Sequence, residues 1–178
     1  MISGTHVILR TAEADDAADF RRLYYPAYPR PALLDRRREY PFPTTSDLRE
    51  FLTSGPKETA ALDMLAIEDT TGIIRGYCAM RPAAVELSYA EIAIMFHDNA
   101  ECASPLGSET LEILLNMAFT NKRLRKAVAH TLDQEIELRA LMANRGFHSG
   151  GVQRDVIYFD GRYHDLEALY LFNPAIEI

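Results

Sequence analysis

The chain is short of cysteine, of net positive charge and of long apolar runs, and each shortage closes off a class of function. Its two cysteines, Cys78 and Cys102, form no CxxC pair and suggest no disulfide framework. Against 26 Asp and Glu there are 19 Lys and Arg, a formal charge of −7. That balance argues against nucleic acid or a membrane surface as the main partner. No apolar run reaches the roughly 18 residues of a membrane-spanning helix. The opening M-I-S-G-T-H has no basic segment followed by an apolar core, so no secretory signal is expected. Repeats, low-complexity tracts and linkers are also missing. His6, His97, His130, His148 and His164 show no H-x-x-x-H or Cys/His ligand spacing, so no metal is expected. A cytoplasmic protein follows, with one domain over residues 1–178. It is 48% hydrophobic and 25% charged. A chain this long buries roughly 70% of its unfolded surface, so it needs no staples.

One stretch organises what is there. Glu91 to His97 is an apolar-rich run of strand length. From Gly107 onward, Leu111, Leu114, Leu115, Ala118 and Phe119 fall at i, i+3, i+4, i+7 and i+8, one face of a helix. Between them lie Ala103, Ser104, Pro105, Leu106, Gly107 and Ser108. A strand feeding such a turn into a helix N-terminus is anion-binding geometry, because the first-turn N–H groups and the macrodipole both favour negative charge. It is also the form of an ordinary strand-to-helix connection.

The rest of the chain falls around it. His6–Arg10 is a strand, and Thr11 opens an acid-rich helix with the stripe Ala17, Phe20, Leu23 and Tyr24. Residues 25–43 are irregular, with Tyr25, Tyr28, Tyr40 and Phe42 among prolines and the basic run Arg36, Arg37, Arg38. Asp47 and Glu50 make a capping-box-like start to a second helix carrying Leu48, Phe51 and Leu52. Leu62–Glu68 and Ile73–Met80 form a hairpin about Asp69-Thr70-Thr71-Gly72. Tyr89–His97 is the next strand. After the organising helix come a strand at Lys126–Leu132 and a helix at Gln134–Arg145, closed by Gly146. The strands Val152–Phe159 and Tyr163–Phe172 then flank Asp160-Gly161. The order β-α-α-β-β-β-α-β-α-β-β predicts an α/β (α+β) fold, a mixed and mostly antiparallel central sheet with helices on both faces.

That order, with several phrases, resembles the GNAT acyltransferase superfamily over nearly the whole chain. The phrases are G-T-H-V-I-L-R-T-A-E-A-D-D, L-A-I-E-D-T-T-G-I-I-R-G-Y, A-E-I-A-I-M-F-H, G-S-E-T-L-E-I-L-L-N-M-A-F and the ending from N-R-G-F onward. The nearest likeness is to the RimJ/RimL-like branch, which acetylates N-terminal amines of ribosomal proteins. The resemblance implies acetyl-CoA as acyl donor and an amine as acceptor, either a peptide N-terminus or a small molecule, in a monomer or homodimer. It also implies that main-chain groups near Met95, Phe96 and His97 hold the thioester. The diphosphate would then lie on the loop of Cys102, Ala103, Ser104, Leu106, Gly107 and Ser108. This loop departs from the family's pattern of Gln or Arg, two residues, Gly, one residue, Gly or Ala. Here Cys102, Pro105 and Gly107 occupy those places, and Pro105 has no N–H to give. Glu135 stands where the family often has an Asn beside the pantetheine. Met142 stands where many members carry a proton-donating Tyr, which the RimJ/RimL-like branch often lacks.

Acetyl transfer to an amine needs a held thioester, a stabilised carbonyl oxygen and a base for the ammonium proton. Glu91 matches the acid that opens the family's fourth strand. Period-two alternation puts Glu91, Ala93, Met95 and His97 on one face, so Glu91 and His97 are the catalytic candidates. Each also has a plain reading, as a strand-end charge and a loop-proximal polar residue. His130 ends the next strand and can line the gap that the family opens there. Cys102 lacks a base partner in the sequence, which argues against a nucleophile. Two other readings stand beside the acetyltransferase. One is a module of the same fold that has lost transfer and binds a ligand or partner, which Cys102, Pro105 and Glu135 favour. The other is an acyltransferase with a different donor.

Overall fold

The computed structural model describes residues 1–24, 43–54, 63–82, 88–159 and 161–176. The aromatic and basic residues between 25 and 42, the Gly55-Pro56 break and Asp160 lie outside them. Among the described residues eight strands form one sheet: β1 (Ile2–Ser3), β2 (Val7–Thr11), β3 (Asp63–Asp69), β4 (Ile74–Pro82), β5 (Tyr89–Phe96), β6 (Lys126–Leu132), β7 (His148–Phe159) and β8 (Arg162–Phe172). Their order is β1-β2-β3-β4-β5-β6-β8-β7. Every neighbouring pair is antiparallel except β5 and β6, which run parallel. Among the described residues four α-helices accompany it: α1 (Ala17–Phe20), α2 (Thr45–Ser54), α3 (Pro105–Asn116) and α4 (Ile136–Asn144). The mixed, mostly antiparallel sheet with helices is the architecture the element order predicts.

The sheet separates two cores. On one face, Ala90, Ile92, Ile94 and Phe96 of β5 pack with Leu111, Leu114 and Leu115 of α3 and Leu138, Leu141 and Met142 of α4. Each fully buried Leu of that stripe contributes about 1.5–3 kcal/mol of apolar transfer. On the other face, Met64, Ala66, Tyr77, Ala79 and Met95 meet Phe20 of α1 and Leu48 of α2. The alternation along β5 therefore sends its even residues to α3 and α4 and its Met95 to the core of α1 and α2.

Local starts and stops follow polar chemistry. The hairpin turn forms as expected: Asp69 Oδ1 accepts from the N–H of Thr71 (2.9 Å) and of Ile73 (3.1 Å), and Gly72 takes φ +82°. Gly146 takes φ +93° after α4. The start of α2 differs from the Asp47/Glu50 expectation. Thr44 and Asp47 cap each other, with Thr44 N–H to Asp47 Oδ2 at 2.8 Å and Asp47 N–H to Thr44 Oγ1 at 3.2 Å. A hydroxyl three residues before a carboxylate satisfies two orphan donors at once. The first helix is also interrupted. Thr11 stays in β2, and tight three-residue-per-turn segments at Ala14–Asp16 and Arg21–Tyr24 flank α1. Arg10 draws Asp16 in at 2.7 Å while holding Glu68 at 2.6 Å, which ties that turn to the sheet.

Candidate active site between β5 and β6

The parallel ladder between β5 and β6 is short. It pairs Tyr89 with Lys126, Ala90 with Ala127 and Glu91 with Val128, and then stops, although β5 runs on to Phe96 and β6 to Leu132. The two strands part beyond Glu91. Main-chain direction follows from the other edge of β5. The His97 N–H donates to the Arg75 carbonyl at 2.9 Å, toward β4. By alternation the main-chain groups of Met95 also face β4, while those of Ile92, Ile94 and Phe96 face the gap. Of the three positions expected to hold a thioester through backbone groups, Phe96 therefore faces the gap, and Met95 and His97 do not.

At the vertex of the gap, Glu91 Oε1 lies 3.1 Å from His130 Nδ1. Arg81 of β4 stands 3.8 Å from Glu91 Oε2. Both partners of the first pair are about one quarter exposed. Register explains the meeting: Glu91 sits opposite Val128, so His130, two residues further on, shares its face.

His97 is on the same face but not in the same place. Six residues along a strand separate it from Glu91 by roughly 20 Å. Its Nε2 is 3.3 Å from Asp19 Oδ2, and its ring meets Tyr77 edge-on at 6.2 Å. Burial pushes this imidazole below its ordinary range, against the opposing pull of the Asp19 carboxylate. The Tyr77 phenol is pushed up, first by burial and then by Asp19. Tyr77 lies within reach of the Asp16 carbonyl at 3.3 Å and of Asp19 at 3.4 Å. His97 is thus part of a packed cluster over α1, and the structure does not bring it to Glu91.

The loop after β5 is largely closed on itself. Asn99–Ala103 is a tight helical turn whose start is capped by Asp98, and Ser104 is the N-cap of α3. Ser104 Oγ accepts from the Gly107 N–H at 3.2 Å, the Ser104 N–H donates to Glu101 O at 3.1 Å, and the Ser108 N–H donates to Ser104 O at 3.2 Å. Pro105 takes the first helical position, where a missing N–H is tolerated. Of the six positions from 103 to 108, three donors are engaged within the chain and a fourth does not exist. Gly107 is also explained by packing. A Cβ there would meet Glu101 O at 2.4 Å and Cys102 Cα at 3.0 Å. As it stands, this loop fits a diphosphate poorly unless Ser104 gives up its hydrogen bond.

Residues 6–148 match the family model of the acetyltransferase (GNAT) domain. The chain belongs to the GNAT acetyltransferase family.

The solved structures agree on the fold. The spermidine N-acetyltransferase of Vibrio cholerae, in complex with CoA and spermine, superimposes with a TM-score of 0.78 at 18% identity, over 96% of this chain and 97% of that one. A dodecameric form of the same enzyme gives 0.75 at 18%, over 96% and 95%. A chimera of it with the human enzyme gives 0.77 at 20%, over 94% and 95%. No curated protein matches the chain significantly.

Other expected GNAT positions find structural places. Glu135 is buried and precedes α4, and its Oε2 accepts from the Leu132 N–H at 2.8 Å. Met142 is fully buried in the core, where a proton donor would have no access. Cys102 is buried, and burial pushes the Cys78 thiol up. Among the described residues no group of three or more His, Cys, Asp or Glu is placed to hold a metal, and no helix is long and apolar enough to cross a membrane. Arg75 was not singled out by the sequence. Its Nη2 binds Glu101 Oε1 at 2.6 Å and so anchors the loop to β4. Arg81 was missed too. A reading strand by strand could have found Arg81 by asking which residue stands across from Glu91 once β4 is paired with β5; Arg75 meets its acid in the turn after β5, which strand register does not reach.

Proposed function

We propose that this GNAT protein is an acetyl-CoA-dependent N-acetyltransferase that moves an acetyl group directly to an amine. The observation that carries the reading is the Glu91–His130 pair at the vertex of the β5–β6 gap. The gap is open where β5 leads into α3, so a donor whose phosphates lie near that helix would reach inward with its acyl end toward Glu91. When bound, the donor supplies an acetyl thioester. Main-chain groups of β5 that face the gap, including those of Phe96, orient it. The Glu91–His130 pair receives the ammonium proton from the sheet face that carries Ala93 and Met95.

The acceptor is a peptide N-terminus, as in the RimJ/RimL-like branch, or a small molecule with one amine. The Vibrio cholerae neighbours are polyamine enzymes. On the face of Glu91 the described residues include Arg81, His130 and Lys126, the last lying 5.3 Å over the Tyr89 ring. A second cationic centre on the acceptor would meet like charge there. A dipeptide amide with a free N-terminus is therefore expected to be acetylated with a higher kcat/KM than spermidine. Thiol release from acetyl-CoA, measured for both acceptors, tests this.

The self-closed loop favours a second reading, a GNAT-fold module that binds a ligand or partner without transfer. Absence of thiol release with every amine, alongside retained CoA binding, would select it.

A further inference from the structure

Glu91 and His130 meet at 3.1 Å through Nδ1, and this contact has a consequence for which of them takes the proton. An ionised carboxylate only accepts, so the hydrogen lies on Nδ1. The neutral ring then carries its lone pair on Nε2. Among the described residues Glu91 is the polar partner of His130, and about a quarter of that side chain meets solvent. The carboxylate is held on both sides, by His130 at one oxygen and by Arg81 at 3.8 Å from the other. Imidazoles as a class titrate nearer neutrality than carboxylates, which suits a base working near pH 7. Among the described residues the other titratable groups on this face include Tyr89 of β5, Tyr77 of β4, Lys126 of β6, Tyr170 and His164 of β8, and His148 of β7. His164 is committed to Asp133 at 2.7 Å, and His148 packs on Tyr170 at 5.9 Å.

We propose that His130 is the general base and Glu91 its positioning residue. This rests on the acetyltransferase reading. His130 Nε2 takes one proton from the bound ammonium. The freed amine nitrogen forms a bond to the thioester carbon. The carbon–sulfur bond then breaks, the nitrogen gives its second proton to solvent water, and the thiolate leaves with the proton that His130 returns. No oxidant or metal enters the balance.

The test is chemical rescue. His130→Ala should lower kcat/KM by about 10²-fold or more and recover with added imidazole, the recovery rising with the basicity of the imidazole used. Glu91→Ala should lower it too, without recovery in imidazole. His130→Gln, checked for an unchanged thermal shift by CoA, replaces the alanine variant if that one does not fold. Activity of His130→Gln within about threefold of wild type would overturn the proposal, as would rescue of Glu91→Ala by formate with none of His130→Ala by imidazole. In both cases the acetyltransferase reading would stand. A wild type that acetylates no amine overturns both.

Discussion

The Gly107 N–H donates to Ser104 Oγ at 3.2 Å, at the helix start where the family resemblance places a diphosphate. A donor held by its own N-cap is not available to a ligand unless that cap opens. Ser104→Gly should therefore have two opposed effects. The unliganded protein should lose about 1 kcal/mol or less, the usual worth of a cap replaced by Gly. CoA should bind up to about tenfold more tightly, since a hydrogen bond to a charged group is freed. Pro105→Gly, which adds an N–H at the next position, should act in the same direction on affinity. Calorimetric titration of CoA checks both; unchanged affinity in both variants would place the phosphates elsewhere.

Gly107 itself is a packing residue. The Glu101 carbonyl lies 2.4 Å from where any Cβ would stand. Gly107→Ala should already destabilise the protein, by about 1–3 kcal/mol as overpacked sites do. Gly76 in β4 is tighter still, with the Met95 carbonyl 2.2 Å from a Cβ. Urea midpoints of Gly107→Ala and Gly76→Ala measure this. A Gly107→Ala protein as stable as wild type would mean that the turn from Asn99 relaxes at no cost.

His97 gives a pH dependence. Burial depresses its folded-state value, so the unfolded chain takes up the proton first. Its contribution to stability is complete above the unfolded value of about 6.5 and is lost as pH falls through the folded one. Asp16 and Asp133, whose carboxyls sit below their ordinary range, add their loss only at lower pH. Melting curves should show stability falling from about pH 6.5 downward, and His97→Gln should flatten that first segment. An unchanged slope in the variant would assign the proton uptake to another group.

Much of this fold was legible because its elements carry local signals. The bounds of β6 were read at Lys126 and Leu132, and the 3.6-residue stripe of α3 marked its buried face before any neighbour was known. The α2 cap was misplaced by three residues, since Thr44 and Asp47 satisfy the capping pattern as well as Asp47 and Glu50 do. The site was less legible for a physical reason. Periodicity puts Glu91 and His97 on one face, but only sheet register says who stands opposite. Register gives Glu91 to His130 and Arg81, while the packing of α1 on the sheet gives His97 to Asp19. The closing of the loop by Ser104 likewise depends on where the helix begins, and the small-residue run left that open by several positions.

The most direct measurement is acetyl transfer from acetyl-CoA to a dipeptide amide, followed by thiol release and by the mass of the peptide, for wild type and Glu91→Gln. The account predicts an acetylated N-terminus with the wild type and about a 10²-fold lower kcat/KM in the variant, while CoA raises the melting temperature of both alike. No acetylated amine at millimolar donor, or a variant as fast as wild type, would contradict it.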